Sequence, residues 1–162
     1  MTSETDESAV LARYADGPKQ LERAIDGLDE SRLDSSRAEG KWTVRQIVHH
    51  IVDGDDVWKL CIKSALGNED AEFTLGWYRT QSQDAWAECW RYSERSVDVS
   101  LALFRAIREH VVQLLQHVPD AWERSINVRL PDGRTERVTV GSVIEMQAKH
   151  VTHHIEQIRE TV

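Results

Sequence analysis

Three long stretches of this chain repeat apolar residues every three or four positions, which commits much of its length to amphipathic helices that must pack on one another. The first has a well-marked start. Thr43 stands at the N-cap, Gln46 completes a capping box three residues later, and Trp42 is placed to staple onto Ile47. This helix is expected to run from Val44 to about Ala65. The second, about Val97 to Val118, lines up Leu101, Phe104, Ile107, Val111, Leu114 and Val118 before Pro119 stops it. The third spans about Val140 to Glu160. A shorter helix is expected at the front, starting at Gly17-Pro18 and placing Leu21, Ala24, Ile25 and Leu28 on one face. Residues 1–8 read as a flexible acidic arm. Between the last two helices, Ser125 to Leu130 and Arg134 to Val138 flank Pro131-Asp132-Gly133, the chemistry of a tight hairpin turn. The expectation is all-α: a four-helix bundle forming one domain over residues 1–162, with a small β-hairpin inserted before the last helix.

Five of the seven histidines fall in two clusters on these helices, His49-His50 and His150, His153, His154. Each residue of a helix advances about 100° around the axis, which sorts them. On the last helix the apolar face centres near Val140, Val151 and Ile158; His154 lies roughly 50° from it, His150 roughly 90° and His153 roughly 150°. On the helix from Val44 the apolar face holds Val44, Ile47, Ile51, Trp58 and Ile62; His50 borders it at roughly 90°, and His49 points away at roughly 170°. His50, His150 and His154 therefore read as the inward histidines, with His49 and His153 outward. An i, i+4 histidine pair offers two parallel nitrogens to one metal ion, and a third imidazole from a facing helix makes an open triad. Without that third ring, two core-edge histidines satisfied by carbonyls or water would be the plain alternative. His110 and His117 have no matching partner and read as structural.

The run Gly40-Lys41-Trp42-Thr43-Val44-Arg45-Gln46-Ile47-Val48-His49-His50-Ile51-Val52-Asp53 and the segment His150-Val151-Thr152-His153-His154-Ile155-Glu156-Gln157-Ile158 together resemble the DinB/YfiT-like superfamily, over nearly the whole chain. The resemblance implies a four-helix bundle with a mononuclear metal site, and maps the ligands to His50, His150 and His154. It further implies a metal-dependent hydrolase or a thiol S-transferase using a low-molecular-weight thiol such as bacillithiol, with a mycothiol-dependent isomerase among related folds. Three neutral imidazoles leave a divalent ion its full charge, so a bound water or thiol would lose its proton near neutral pH. By ligand type, zinc and nickel suit such a site best. Asp53 and Gln157, each three residues after a histidine of the triad, are candidates to orient the rings, against the plainer reading of surface polar residues. Gly54, one turn beyond His50, suggests that something needs room there, or that a neighbouring helix packs closely.

The segment from Gly67 to Tyr92 is long for a bundle connection and carries Phe73, Trp77, Tyr78, Trp86, Trp90 and Tyr92. Beside a metal site it reads as a lid, with Trp77, Tyr78, Trp86 and Trp90 as candidate pocket walls; aromatic padding over the bundle is the alternative. A net charge of -8 provides no positive field for phosphates, so nucleic acid is not an expected partner. The start of the chain lacks a basic flank and an apolar stretch, and no later run reaches membrane-spanning length, so a cytoplasmic protein without a membrane partner is expected. Cys61 and Cys89 lack a CxxC neighbour and read as reduced thiols. The reading is an enzyme acting on a small-molecule substrate; the alternative is a non-catalytic metal-binding module, working as a homodimer through its bundle faces.

Overall fold

The computed structural model describes residues 4–162. Four long helices carry the bundle: α1 (Glu4–Ile25), α3 (Val44–Gly67), α5 (Val97–His117) and α6 (Val140–Arg159), with a one-turn helix α2 (Glu30–Leu33) between the first two. The capping box at Thr43 and Gln46 is formed, and Thr139 and Ser142 make a second one at the start of α6. Helix α1 packs on α5 and α6, and α3 packs on the same two, so α1 and α3 are diagonal to each other. Among the described residues no helix is long and apolar enough to cross a membrane.

The front of the chain departs from expectation. Helix α1 begins at Glu4 and runs straight through Pro18. Of the expected arm, residues 1–3 lie outside the described residues, and residues 4–8 form the opening turns of α1. Pro18 has no N–H, so the carbonyl of Tyr14 one turn earlier lacks its helical donor. Arg108 supplies one: its Nη1 donates to Tyr14 O at 2.8 Å. A Cβ on Gly17 would stand 3.4 Å from that same nitrogen, so Gly17-Pro18 is the gap in which a side chain from α5 docks rather than a helix start.

The insert is also larger than a hairpin. Strands β2 (Ser125–Arg129) and β3 (Thr135–Thr139) pair antiparallel as expected, and β1 (Glu72–Thr74) adds a third strand parallel to β2, with Phe73 opposite Val128. After β1 the chain makes a 3₁₀ turn (Tyr78–Thr80), a short helix α4 (Gln83–Cys89) and a second 3₁₀ turn (Tyr92–Glu94) before entering α5.

Two apolar clusters fill the bundle. One gathers Val10, Tyr14, Cys61, Ile62, Val111 and Ile144 with Ile126 and Val128 of the sheet; the other gathers Leu21, Val44, Val48, Ile51, Phe104, Val151 and Ile155. Arg108 joins them, its guanidinium 3.7 Å from the ring centre of Tyr14 and 4.9 Å from that of Phe104. Its Nε and Nη2 both donate to Asp55, at 2.6 and 2.8 Å, and Nη2 also reaches Gln147 O at 3.3 Å. Both partners are buried. Removing one member of such a pair strands the other charge in the core, at a cost of about 3–5 kcal/mol. Arg108→Met is therefore expected to lower the unfolding free energy by about that amount in urea titration. Adding Asp55→Leu to it should restore part of the loss. A double variant no more stable than the single one would show that packing, rather than the stranded carboxylate, sets the cost.

Candidate metal centre

Helices α3 and α6 pack side by side, and their facing turns bring His50, His150 and His154 together, with one ligand-capable nitrogen of each within 4.8 Å of the others. The Nε2 of His150 lies 3.1 Å from that of His50 and 3.0 Å from that of His154. All three rings are half-buried. Burial pushes the pKa of His50 down to about 4 and that of His150 down to about 3, with the charge of His154 adding to the effect in both. His154 is also lowered, again chiefly by burial. Neutral rings with lone pairs are what a metal requires of imidazole.

The proton positions point the same way. The Nδ1 of His154 is 2.8 Å from Gln157 Oε1, which can only accept, so the proton of His154 sits on Nδ1 and Nε2 presents its lone pair to the other rings. The amide nitrogen of Gln157 lies 3.0 Å from His153 Nε2, which is consistent with that orientation of the amide. The Nδ1 atoms of His50 and His150 are buried without a partner. A single Nε2–H on His150 could not satisfy two neighbouring nitrogens at once. Nitrogens held tetrahedrally about 2.1 Å from one ion lie about 3.4 Å apart, close to the spacing seen here, so the donor set fits a divalent cation.

His153 is exposed, as expected from its phase. His49 is not: it is fully buried, with Nδ1 2.8 Å from Ser100 Oγ and Nε2 3.1 Å from Arg95 O. The reason is that α3 has two buried faces, one against α6 and one against α5, so the side opposite its main apolar stripe is interior too. Burial lowers the pKa of His49 as well. Asp53 does not orient His50; its carboxylate accepts from Arg95 Nη1 at 3.1 Å instead. His117 donates from Nδ1 to Gln113 O within its own helix, and His110 is exposed. Opposite Gly54, a Cβ would stand 3.9 Å from His150 Cε1, ordinary contact, so the glycine leaves space beside that ring without being forced by a clash.

The aromatic segment stacks on itself. Tyr78 lies on Trp86 at 5.7 Å, Trp86 against Trp90 at 4.7 Å and Trp77 against Trp86 at 5.7 Å. Trp77 and Trp90 line a cavity of about 390 Å³ with Asp53, Asp56, Val57, Leu60 and Arg95. That cavity begins one turn along α3 from His50 and has none of the three histidines in its wall. The ring standing against His50 is Trp42, edge-on at 4.8 Å, and its Nε1 donates to Asp84 Oδ1 at 2.6 Å. A smaller, more polar cavity of about 260 Å³ opens on His154, lined also by Arg37, Lys41, Trp42, Asp84 and Gln157. The segment thus reaches the histidine side through Asp84, at the start of α4, rather than through a tryptophan. Trp42 was legible as a staple but not as a neighbour of the triad. Asp55 and Arg108 were missed, although Arg108 interrupts the apolar face of α5 between Ile107 and Val111, and an unmatched charge on such a face is a signal of its own.

Residues 13–158 match the model of the DinB superfamily. A Bacillus mycoides protein, provisionally named a metal-dependent hydrolase, is 33% identical over 93% of this chain and 83% of its own length; a Bacillus cereus relative with the same provisional name is also 33% identical over the same shares. Among solved structures, YfiT from Bacillus subtilis superposes with a TM-score of 0.82 at 26% identity, over 99% of this chain and 87% of YfiT. It is described provisionally as a metal-dependent hydrolase with an unusual four-helix bundle topology. A mycothiol-dependent maleylpyruvate isomerase shares the fold at a TM-score of 0.70 and 18% identity, over 98% of this chain and 63% of that one. With a bundle of the same topology, a family match over most of its length and three convergent histidines, this chain belongs to the DinB superfamily.

Proposed function

We propose that this protein is a metal-dependent enzyme in which His50, His150 and His154 hold one divalent ion, and in which a small electrophilic molecule is attacked by water or by a low-molecular-weight thiol. The observation that carries the reading is the convergence of three half-buried imidazoles, held neutral by their surroundings, whose Nε2 atoms have no better use than a shared cation. The candidate ligand cluster has three members among the described residues. A structural ion would call for a fourth protein ligand, so this count favours an open, reactive site over a non-catalytic module. Zinc or nickel suits three imidazoles best. When bound, such an ion supplies a Lewis acid that lowers the pKa of a water or thiol beside it.

The chain's own residues do the rest. Gln157 holds the proton of His154 on Nδ1 and so keeps the other nitrogen free. Trp42 walls the site edge-on to His50, and through Asp84 it ties α4 to the rim. The cavity on His154, with Arg37, Lys41 and Asp84 around it, provides polar groups to orient a substrate. The larger cavity provides apolar surface on Trp77 and Trp90, backed by Tyr78 and Trp86, for the remainder of a substrate or thiol. The bacterial relatives' provisional name of metal-dependent hydrolase supports the water route, and the isomerase neighbour's dependence on mycothiol supports the thiol route.

Protein purified without affinity nickel is expected to hold about one divalent ion per chain by elemental analysis. His50→Ala, His150→Ala and His154→Ala should each abolish stoichiometric loading, and His153→Ala should leave it intact. His49→Ala is expected to lose thermal stability, because it deletes two buried hydrogen bonds. Equal loss of metal in the His150 and His153 variants would count against the triad. Turnover assays pairing loaded protein with water or thiols against a panel of electrophiles then test the chemistry, and no turnover with any pair would favour the non-catalytic module.

Acid tests the same nitrogens. His50 and His150 have folded pKa values of about 4 and about 3, below the ordinary histidine value of 6.5. A depressed value means that folding favours the neutral ring, so this stability is present above 6.5 and is lost as pH falls through about 4 for His50 and about 3 for His150. The urea midpoint of metal-free protein should be flat above about pH 7 and drop between 6.5 and about 3. His50→Gln should flatten that drop. A midpoint that rises through the same window would contradict the burial of neutral rings.

A further inference from the structure

Helix α6 carries a stripe in which each of its two triad histidines has a glutamine three residues outward: Gln147 before His150 and Gln157 after His154. Only the second pair is joined, by the 2.8 Å contact between His154 Nδ1 and Gln157 Oε1. At the first, two buried atoms stand without partners, the Nδ1 of His150 and the Oε1 of Gln147. They are complementary. An amide oxygen can only accept, and the Nδ1 of a histidine whose Nε2 serves as a ligand must carry a proton to donate. Gln147 is 3% exposed, so bulk water cannot readily serve its oxygen. Leaving both atoms unpaired would forfeit their hydration with nothing in return.

The geometry points to Gln147 as the positioning residue for His150: rotation of its amide brings Oε1 to the Nδ1–H of His150, fixing the tautomer that offers Nε2 to the site. Side chains on a helix lean toward its N-terminus, which tilts His150 back over the turn that carries Gln147. The backbone of that turn is itself held, since the carbonyl of Gln147 accepts from Arg108 Nη2.

This inference rests on the triad's being a metal site, so loading of the wild-type protein is read first. Zinc affinity is then measured by competition with a chelator for wild type, Gln147→Leu and Gln147→Glu, together with the ring resonances of His150 in the zinc-loaded proteins. Gln147→Leu, which removes the acceptor at similar volume, should weaken zinc binding by about 10–100-fold and move the Nδ1 proton upfield. Its metal-free form should be no less stable than wild type, because an unpaired buried oxygen has gone. Gln147→Glu, which keeps an acceptor at the same reach, should retain affinity within about threefold and keep the proton downfield. If Gln147→Leu fails to fold, Gln147→Met carries the same comparison. Wild-type affinity with an unmoved proton in the Leu or Met variant overturns the assignment, as does a wild-type Nδ1 proton that exchanges at a solvent-limited rate. Wild-type protein that binds no zinc would overturn the metal reading instead.

Discussion

One guanidinium touches all four helices of the bundle. Arg108 on α5 donates twice to Asp55 on α3, once to the carbonyl of Tyr14 on α1 and once to that of Gln147 on α6. Apolar packing is forgiving about register, because a methyl group accepts many neighbours; a planar fork of donors meeting fixed acceptors is not. A turn of slippage in any one helix would leave a buried charge or carbonyl unpaired. The gap that admits the arginine is written into α1 by Pro18, which frees the Tyr14 carbonyl, and by Gly17, which keeps a side chain out of the way. The triad depends on this register. Asp55 follows Gly54, the residue opposite His150, and Gln147 precedes His150 by one turn.

The second constraint is that α3 is buried on two faces. Its inner stripe meets α6 and carries His50, while its other side meets α5 and carries His49. Adjacent histidines therefore have unlike tasks. His49 and Arg45 both hold the carbonyl of Arg95, so the chain entering α5 is clamped to α3, and Arg45 also pairs with Asp34 and Glu30, which ties α2 to the same arginine. The side chain of Arg95 is left to pair with Asp53 in the wall of the larger cavity.

What the sequence made legible follows from these two constraints. Periodicity and caps place α3, α5 and α6 because each has one dominant apolar stripe and local signals at its ends. The same angular count finds His50, His150 and His154, all of which border such a stripe. It misplaces His49, because a single-face picture has no way to register a second buried side. It misreads Gly17-Pro18 as a start, because a proline inside a helix is tolerated only when a distant donor replaces the missing bond, and that donor lies 94 residues away. Strand β1 was hidden for a like reason: three residues carry no periodicity, and its partner in β2 is far along the chain. Gln147 carries no pattern by itself and gains meaning only once His150 is seen to lack a partner.

The candidate site is built from two kinds of element, which bears on how the proposed chemistry would relate to selectivity. His50 rides on the second turn of α3, and His150, His154 and Gln147 ride on the interior turns of α6; the two helices pack directly on each other and are tied by the Arg108 network. The surrounding walls come from elsewhere: Arg37, Lys41 and Trp42 from the approach to α3, and Trp77, Asp84 and Trp90 from the segment before α5. That segment contains a three-residue strand, two 3₁₀ turns and a seven-residue helix, held to the rest of the chain by the pairing of β1 with β2, by buried Leu75, Ala87 and Tyr92, by Trp42 on Asp84 and by the clamp on Arg95. Exposed side chains on short connecting elements accept substitution with little effect on a neighbouring helical core. On the proposed function, changes at Asp84, Trp77 or Trp90 are expected to alter which molecule fits more than they move the nitrogens of the triad, whereas a change at Asp55 or Arg108, which line neither cavity, is expected to move the helices that carry them.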